Sequence, residues 1–282
     1  MTLEVLRKKV LKVDRLCVQL AQYDGLAIAF SGGVDSVFLA YVASNILGEK
    51  AVALTVETPY MAKWEIQESE ELATFIGISY TRIQLPLHPS LMNNPSDRCY
   101  LCKKILFNQL MASAKNMGIK NLADGSNADD TKDYRPGMRA LTELGVKSPL
   151  LESGITKTEI REWSKALGLK TWNKPAYACL LTRLPYDMPV ELNALEMIEK
   201  GEKFFHNLGY KAVRVRKHGD LARIEIDPDR ITDLIQNDSI GRIVENFKAF
   251  GFKHVTLDLQ GYVMGSFNSD LMKGAPNESN GN

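Results

Sequence analysis

The chain has 282 residues, 45% of them hydrophobic, and its 35 Lys and Arg against 34 Asp and Glu leave a net charge of +1. A balance this near neutral supplies no global field for a polyanion, so nucleic-acid binding would need a local basic patch, and a small-molecule partner is the simpler expectation. The N-terminus mixes charge into a helical pattern and lacks an apolar signal core, no run approaches the about 20 apolar residues of a membrane span, and four cysteines are too few for a secreted disulfide scaffold; together these predict a cytoplasmic protein with reduced thiols.

Leu6, Val10, Val13, Cys17 and Leu20 recur at helical spacing and predict one amphipathic helix, with Cys17 on its apolar stripe as a packing residue. Residues 26–30 read as a buried strand, 35–47 as a helix stopped by Gly48, 51–56 as a second strand and 64–75 as a helix. A third strand fits 80–85, a helix 103–116 and a short fourth strand 121–124. Strands alternating with helix-length segments predict an α/β fold, a mainly parallel sheet with helices on both faces, whose ligands bind at the carboxyl ends of the strands. The Gly-, Pro- and charge-rich stretch 131–152 reads as a long functional loop with a short helix, and Thr156 with Glu159 forms a capping box opening a helix that ends near Gly168. After Pro185 the pattern changes. A helix at 190–208, a hairpin of 212–216 with 222–226, further helices and a last strand near 254–259 predict a smaller C-terminal α/β domain at 186–272, following a first domain at 1–185. The polar, Gly/Asn-rich stretch 273–282 is expected to be a disordered tail.

The segment Phe30-Ser31-Gly32-Gly33-Val34-Asp35-Ser36 joins the first strand to the helix after it. Its glycines let main-chain amides approach an anion, Ser31 and Ser36 add hydroxyls, and the helix directs its positive end at the same point. The absence of a Gly-Lys-Ser/Thr ending excludes a Walker A loop. A plain Gly-Ser turn before a helix is the alternative, and the order strand, loop, helix disfavours it. The segment resembles the SGGxDS signature of the PP-loop ATP pyrophosphatases. That resemblance implies ATP with Mg2+, cleaved to AMP and pyrophosphate while a carbonyl or carboxylate is adenylated, and it makes Ala29, Ser31, Gly32, Gly33, Asp35 and Ser36 the ATP-binding set. Val56, at the end of the second strand, could contact adenine, and Asp124-Gly125, at the end of the fourth, should lie at the nucleotide edge. The activated acceptor then needs a nucleophile, and without a glutaminase region to make ammonia the weight moves to sulfur.

Cys99 and Cys102 stand one helical turn apart at the start of a helix, where the dipole favours thiolate, and Cys179 lies far along the chain. Three thiolates could hold a 4Fe-4S cluster one ligand short of the usual four, while a Cys-x-x-Cys pair alone fits half of a zinc site or a redox pair equally well. Val213-Arg214-Val215-Arg216 puts both arginines on one strand face. Pairing Val215 with Ile224 keeps the apolar residues on the other face and sets Arg214 opposite Glu225.

Nearly end to end the chain resembles the LarE-type ATP-dependent sulfur transferases, which make the pyridinium-3,5-bisthiocarboxylate mononucleotide precursor of the nickel-pincer nucleotide of lactate racemase. The resemblance rests on the loop from Ala29 to Ser36, Asp133-Tyr134-Arg135-Pro136-Gly137, Trp172-Asn173-Lys174, Arg183-Leu184-Pro185-Tyr186, the Arg214-x-Arg216 strand and Val255-Thr256-Leu257-Asp258-Leu259. It implies that the carboxylates of pyridinium-3,5-biscarboxylic acid mononucleotide are adenylated and attacked by sulfur. In some members the cysteine matching Cys179 is consumed; in three-cysteine members a 4Fe-4S cluster supplies sulfide, and Cys99 and Cys102 put this chain in the second group. The resemblance assigns catalysis and cluster ligation to Cys99, Cys102 and Cys179, and substrate binding to Lys103, Arg135, Arg183, Arg214 and Arg216. It offers Glu202, Glu225 and Asp233 for a divalent cation. It further implies a small-molecule mononucleotide, sulfide or another sulfur donor, and a homo-oligomer such as a hexamer. Two alternatives stay open: a tRNA thiolase, which also joins a PP-loop to three cluster cysteines, and a non-catalytic adenine-nucleotide sensor.

Overall fold

A computed structural model describes residues 1–132, 136–236 and 240–262. Asp133, Tyr134 and Arg135 of the loop motif, and the tail at 273–282, lie outside the described residues. The chain divides into two units, Met1–Tyr177 and Ala178–Asn282. No described helix is long and apolar enough to cross a membrane.

The first unit opens with helices α1 (Leu3–Lys9) and α2 (Leu11–Leu20), separated at Val10, whose φ of −127° and ψ of 106° are extended. The single helix expected here is thus two, although Leu6, Val13, Cys17 and Leu20 are all buried and the apolar stripe stays in the core. Strand β1 (Leu26–Ala29), helix α3 (Val34–Leu47), strand β2 (Ala51–Glu57), helix α4 (Lys63–Ile76) and strand β3 (Ser79–Gln84) follow. Helix α5 (Arg98–Asn116) then leads to strand β4 (Asn121–Ala123). The four strands are parallel in the order β3-β2-β1-β4. Side chains alternate across this sheet. Leu26, Ile28, Ala51 and Ala53 face α2, α3 and α8 (Lys157–Ala166), whereas Ala27, Leu54 and Val56 pack with Phe107 and Leu110 of α5. Helix α3 buries Val34, Val37, Phe38, Leu39, Ala40, Val42 and Ala43, the all-round apolar surface of a helix held between sheet and helices. Each large side chain buried in this way stabilises by about 1.5–3 kcal/mol.

The stretch 131–152 holds more helix than expected: α6 (Pro136–Glu143) and α7 (Pro149–Glu152). Both begin with proline, which is tolerated at a first helical position yet reads as a loop residue in a sequence. The capping box of α8 is present, with Thr156 Oγ1 accepting from the Glu159 N–H and the Glu159 carboxylate accepting from the Thr156 N–H.

In the second unit, helix α9 (Leu192–Asn207) precedes strands β5 (Val213–His218) and β6 (Leu221–Ile226), helices α10 (Ile231–Gln236) and α11 (Ile240–Phe250), and strand β7 (His254–Leu257). The sheet runs β5-β6-β7, antiparallel then parallel. Phe205 and Phe247 meet edge-on at 5.8 Å, and Val213, Val215, Ile224 and Ile226 are buried. Gly201 makes room for this contact, since a Cβ there would lie 3.0 Å from the Phe247 ring. The unit begins before residue 186 because the turn Leu180–Arg183 packs on α9 and β5.

Candidate active site

Strands β2 and β3 lie to one side of β1 and β4 to the other, so the order reverses at β1, the switch point where sheets of this kind form a ligand crevice at the strand ends. The loop Ser31–Ser36 occupies that point. Its start is tied to the sheet: the Phe30 N–H donates to the Leu54 carbonyl at 2.9 Å and Thr55 Oγ1 donates to the Phe30 carbonyl at 2.5 Å. Gly32 takes a φ of +69°, and a Cβ there would lie 3.2 Å from Ser69 Cβ. Ser36 Oγ donates to the Gly33 carbonyl at 3.1 Å and accepts from the Ser31 N–H at 3.3 Å, while Ser31 Oγ accepts from the Gly33 N–H at 3.3 Å. Gly33 precedes α3 and contributes no side-chain cap, so the first-turn amides are directed at the crevice.

Cations close on this loop from far along the chain. The Lys157 ammonium, on the first residue of α8, bonds the Asp35 carboxylate, and Asn127 Nδ2 donates to the same group at 3.4 Å. Lys174 Nζ donates to the Gly32 carbonyl at 3.0 Å and to Glu68 at 2.9 Å. Burial pushes the Asp35 pKa up, against the pull of the Lys157 charge. After β4, Asp124 is 6% exposed and accepts from Ser148 Oγ at 2.7 Å and from Ser126 Oγ, so its carboxylate orients the chain beyond the strand. Gly125 allows a close approach there, since a Cβ would stand 3.0 Å from the Ser36 amide nitrogen. Ala29 pairs with Leu54, and Val56 is buried in the cluster beneath α5. Lys157 and Lys174 carried no role in the sequence reading; the signals were the capping Thr156 just before one and the Trp172-Asn173-Lys174 string around the other.

Helix α5 begins at Arg98, so Cys99 and Cys102 both sit in its first turns, the former exposed and the latter half-buried. Tyr60 Oη lies 3.3 Å from Cys102 Sγ. The Lys103 stem crosses Gly137, where a Cβ would come within 2.9 Å of it, and its ammonium stands 5.8 Å from the Phe107 ring. Cys179 belongs to the second unit and precedes the turn Leu180–Arg183. Three thiols are suitable soft donors for an iron-sulfur cluster, but among the described residues no three His, Cys, Asp or Glu side chains converge on a metal position.

The second-unit arginines are buried, not on an open face. Arg214 is 4% and Arg216 5% exposed. The β5–β6 register pairs Val215 with Ile224 and Arg214 with Glu225, yet Glu225 binds the diagonal Arg216, whose Nη2 donates at 3.0 Å, and also Arg223. Arg214 donates to the Val213 carbonyl at 2.7 Å and lies over the Tyr262 ring at 4.7 Å. Arg183 grips Glu202 with two bonds, at 2.8 and 3.1 Å. The acids offered for a cation are thus engaged separately: Glu202 with Arg183, Glu225 with Arg216, and exposed Asp233 with Arg230 at 3.2 Å.

A glycine-serine loop between strand and helix, at the switch point of a parallel sheet, defines an α/β protein of the PP-loop class. The NAD synthase family matches residues 6–109. An uncharacterised protein of Synechocystis is 41% identical over 93% of this chain and 98% of its own. The pyridinium-3,5-bisthiocarboxylic acid mononucleotide synthase of Lactiplantibacillus plantarum is 34% identical over 93% of this chain and 95% of its own. An uncharacterised protein of Methanocaldococcus jannaschii is 31% identical over 92% and 98% respectively. The chain belongs to the LarE-type family of PP-loop enzymes, the ATP-dependent sulfurtransferases.

Proposed function

We propose that the chain activates the carboxylates of pyridinium-3,5-biscarboxylic acid mononucleotide with ATP and replaces carboxylate oxygen with sulfur, on the pathway to a nickel-pincer nucleotide. The observation that carries this reading is the meeting of the Ser31–Ser36 loop, the first turn of α3 and Lys157 at the switch point. ATP enters as its Mg2+ complex. The loop amides and the α3 terminus bind its phosphates, and Lys157, exchanging Asp35 for the nucleotide, offsets charge growing on pyrophosphate. A substrate carboxylate oxygen attacks the α-phosphorus, the bond to pyrophosphate breaks, and an acyl-adenylate forms. Sulfur then attacks the acyl carbon and AMP departs with the former carboxylate oxygen.

Cys99, Cys102 and Cys179 are the proposed sulfur-handling residues. A 4Fe-4S cluster on these thiols would supply sulfide repeatedly. Arg214, Arg216 and, outside the described residues, Arg135 are the proposed partners of the mononucleotide's phosphate and carboxylates, with Lys103 beside the cysteine pair. Kinship to the synthase of Lactiplantibacillus plantarum supports the substrate assignment. A homo-oligomer and a cytoplasmic location complete the proposal.

Purified protein should release pyrophosphate from ATP only with the biscarboxylated mononucleotide present, and Lys157→Met should slow release by about 100-fold, as for loss of a group aimed at developing charge. Release that ignores the mononucleotide would refute the substrate assignment. Anaerobic purification with iron and sulfide analysis and Mössbauer spectra tests the cluster; iron-free protein with full multiple turnover would exclude it.

A further inference from the structure

The Arg183 guanidinium is 2% exposed and aimed back at the segment carrying Cys179. While Nε and Nη2 hold Glu202, Nη1 donates to the carbonyls of Ala178 at 2.9 Å and Cys179 at 3.2 Å, and to Thr182 Oγ1 at 2.5 Å. Thr182 Oγ1 in turn donates to the Cys179 carbonyl at 2.8 Å. The far end of the pair is anchored as well: Glu202 rises from α9, and its Oε1 also accepts from the Val215 N–H on β5 at 3.0 Å. Arg216 of the same strand donates to the Thr182 carbonyl at 2.8 Å. The peptide groups flanking Cys179 are therefore fixed to a helix and a strand through one planar, five-donor group.

A buried ion pair is a poor source of net stability, because desolvating two charges offsets most of their attraction, and apolar residues of similar size do as well or better. What a guanidinium offers over an apolar side chain is direction: its donors lie in one plane at set angles. We propose that Arg183, carried by Glu202, is a positioning residue for Cys179, holding the Ala178 and Cys179 carbonyls so that Sγ is presented in one orientation. This revises the substrate-binding role expected of Arg183 from the sequence. It rests on the reading of Cys179 as a sulfur-handling residue.

The test uses the full-length protein and the double variant Arg183→Met/Glu202→Gln, which removes both charges together and leaves an amide oxygen to accept from Val215. Arg183→Lys, which keeps the charge and loses the fork, is the second variant. Two rates are measured: alkylation of Cys179 by iodoacetamide, followed at the peptide level, and formation of thiocarboxylate. For a double variant melting near wild type, Cys179 alkylation should change several-fold, and kcat of sulfur transfer should fall by at least about tenfold with KM for the mononucleotide unchanged, as for a displaced reactive group. Arg183→Lys should fall between the two proteins. Unchanged alkylation and kcat in a folded variant would overturn the proposal, as would a raised KM at constant kcat, which would return Arg183 to the substrate. Should the double variant fail to fold, the same readouts on Arg183→Lys decide. If wild type itself forms no thiocarboxylate, the proposed function fails, while the alkylation comparison still tests positioning.

Discussion

At Asp35 two effects oppose each other. Burial raises the carboxyl pKa, the larger effect, and the Lys157 ammonium lowers it. An acid whose folded pKa lies above its unfolded value stabilises the fold while protonated. That contribution is complete below the unfolded value of about 3.9 and is lost as pH rises through the raised one. Asp35→Asn removes the titration. The stability of wild type minus that of the variant, from urea melts, should therefore fall as pH rises from about 3.5 through the raised value; a difference that grows would show that the Lys157 pair outweighs burial. The strand, loop and helix around Ser31, Asp35 and Ser36 were legible in the sequence because they are written in one continuous string. Lys157 and Lys174 were not, since they reach Asp35 and Gly32 from 122 and 142 residues away. Nor could the string reveal that Glu202 would meet Arg183 inside the second unit. That contact depends on how α9 packs on the turn after Cys179.

Among the elements, the β1 end, α3 and the β4 end act as one assembly, and Gly125 is where they touch. Gly125→Ala would set a methyl 3.0 Å from the Ser36 nitrogen and 3.2 Å from Asp35 Cβ, both in the first turn of α3. Backbone cannot swing aside as a side chain does, so the α3 terminus must shift. We expect nucleotide affinity, measured by calorimetry, to weaken at least about tenfold, or about 1.4 kcal/mol, with urea stability lowered less than that; unchanged affinity would contradict this view of the crevice. Strands and most helices were readable because alternation and helical periodicity are local. The β5–β6 register was readable for the same reason, one slip of Val215 against Ile224 being enough to expose the apolar face. The break at Val10 has no Gly or Pro to mark it, and the helices beginning at Pro136 and Pro149 were hidden by the residue that starts them.

For the molecule as a whole, alternating strands and helices implied a parallel sheet, but not the order β3-β2-β1-β4 that creates the switch point. That order depends on which crossovers bury the apolar faces of α3 and α5, information spread over the first unit. The kinship along nearly the full chain joins the PP-loop fold to sulfur chemistry. The central claim is that the substrate's carboxylate attacks ATP before sulfur arrives, and it has a direct isotopic signature. With mononucleotide labelled with 18O in its carboxylates, one label should appear in AMP for each thiocarboxylate formed, and none in pyrophosphate. Thiocarboxylate formed with unlabelled AMP, or with label in pyrophosphate, would contradict adenylation of the substrate.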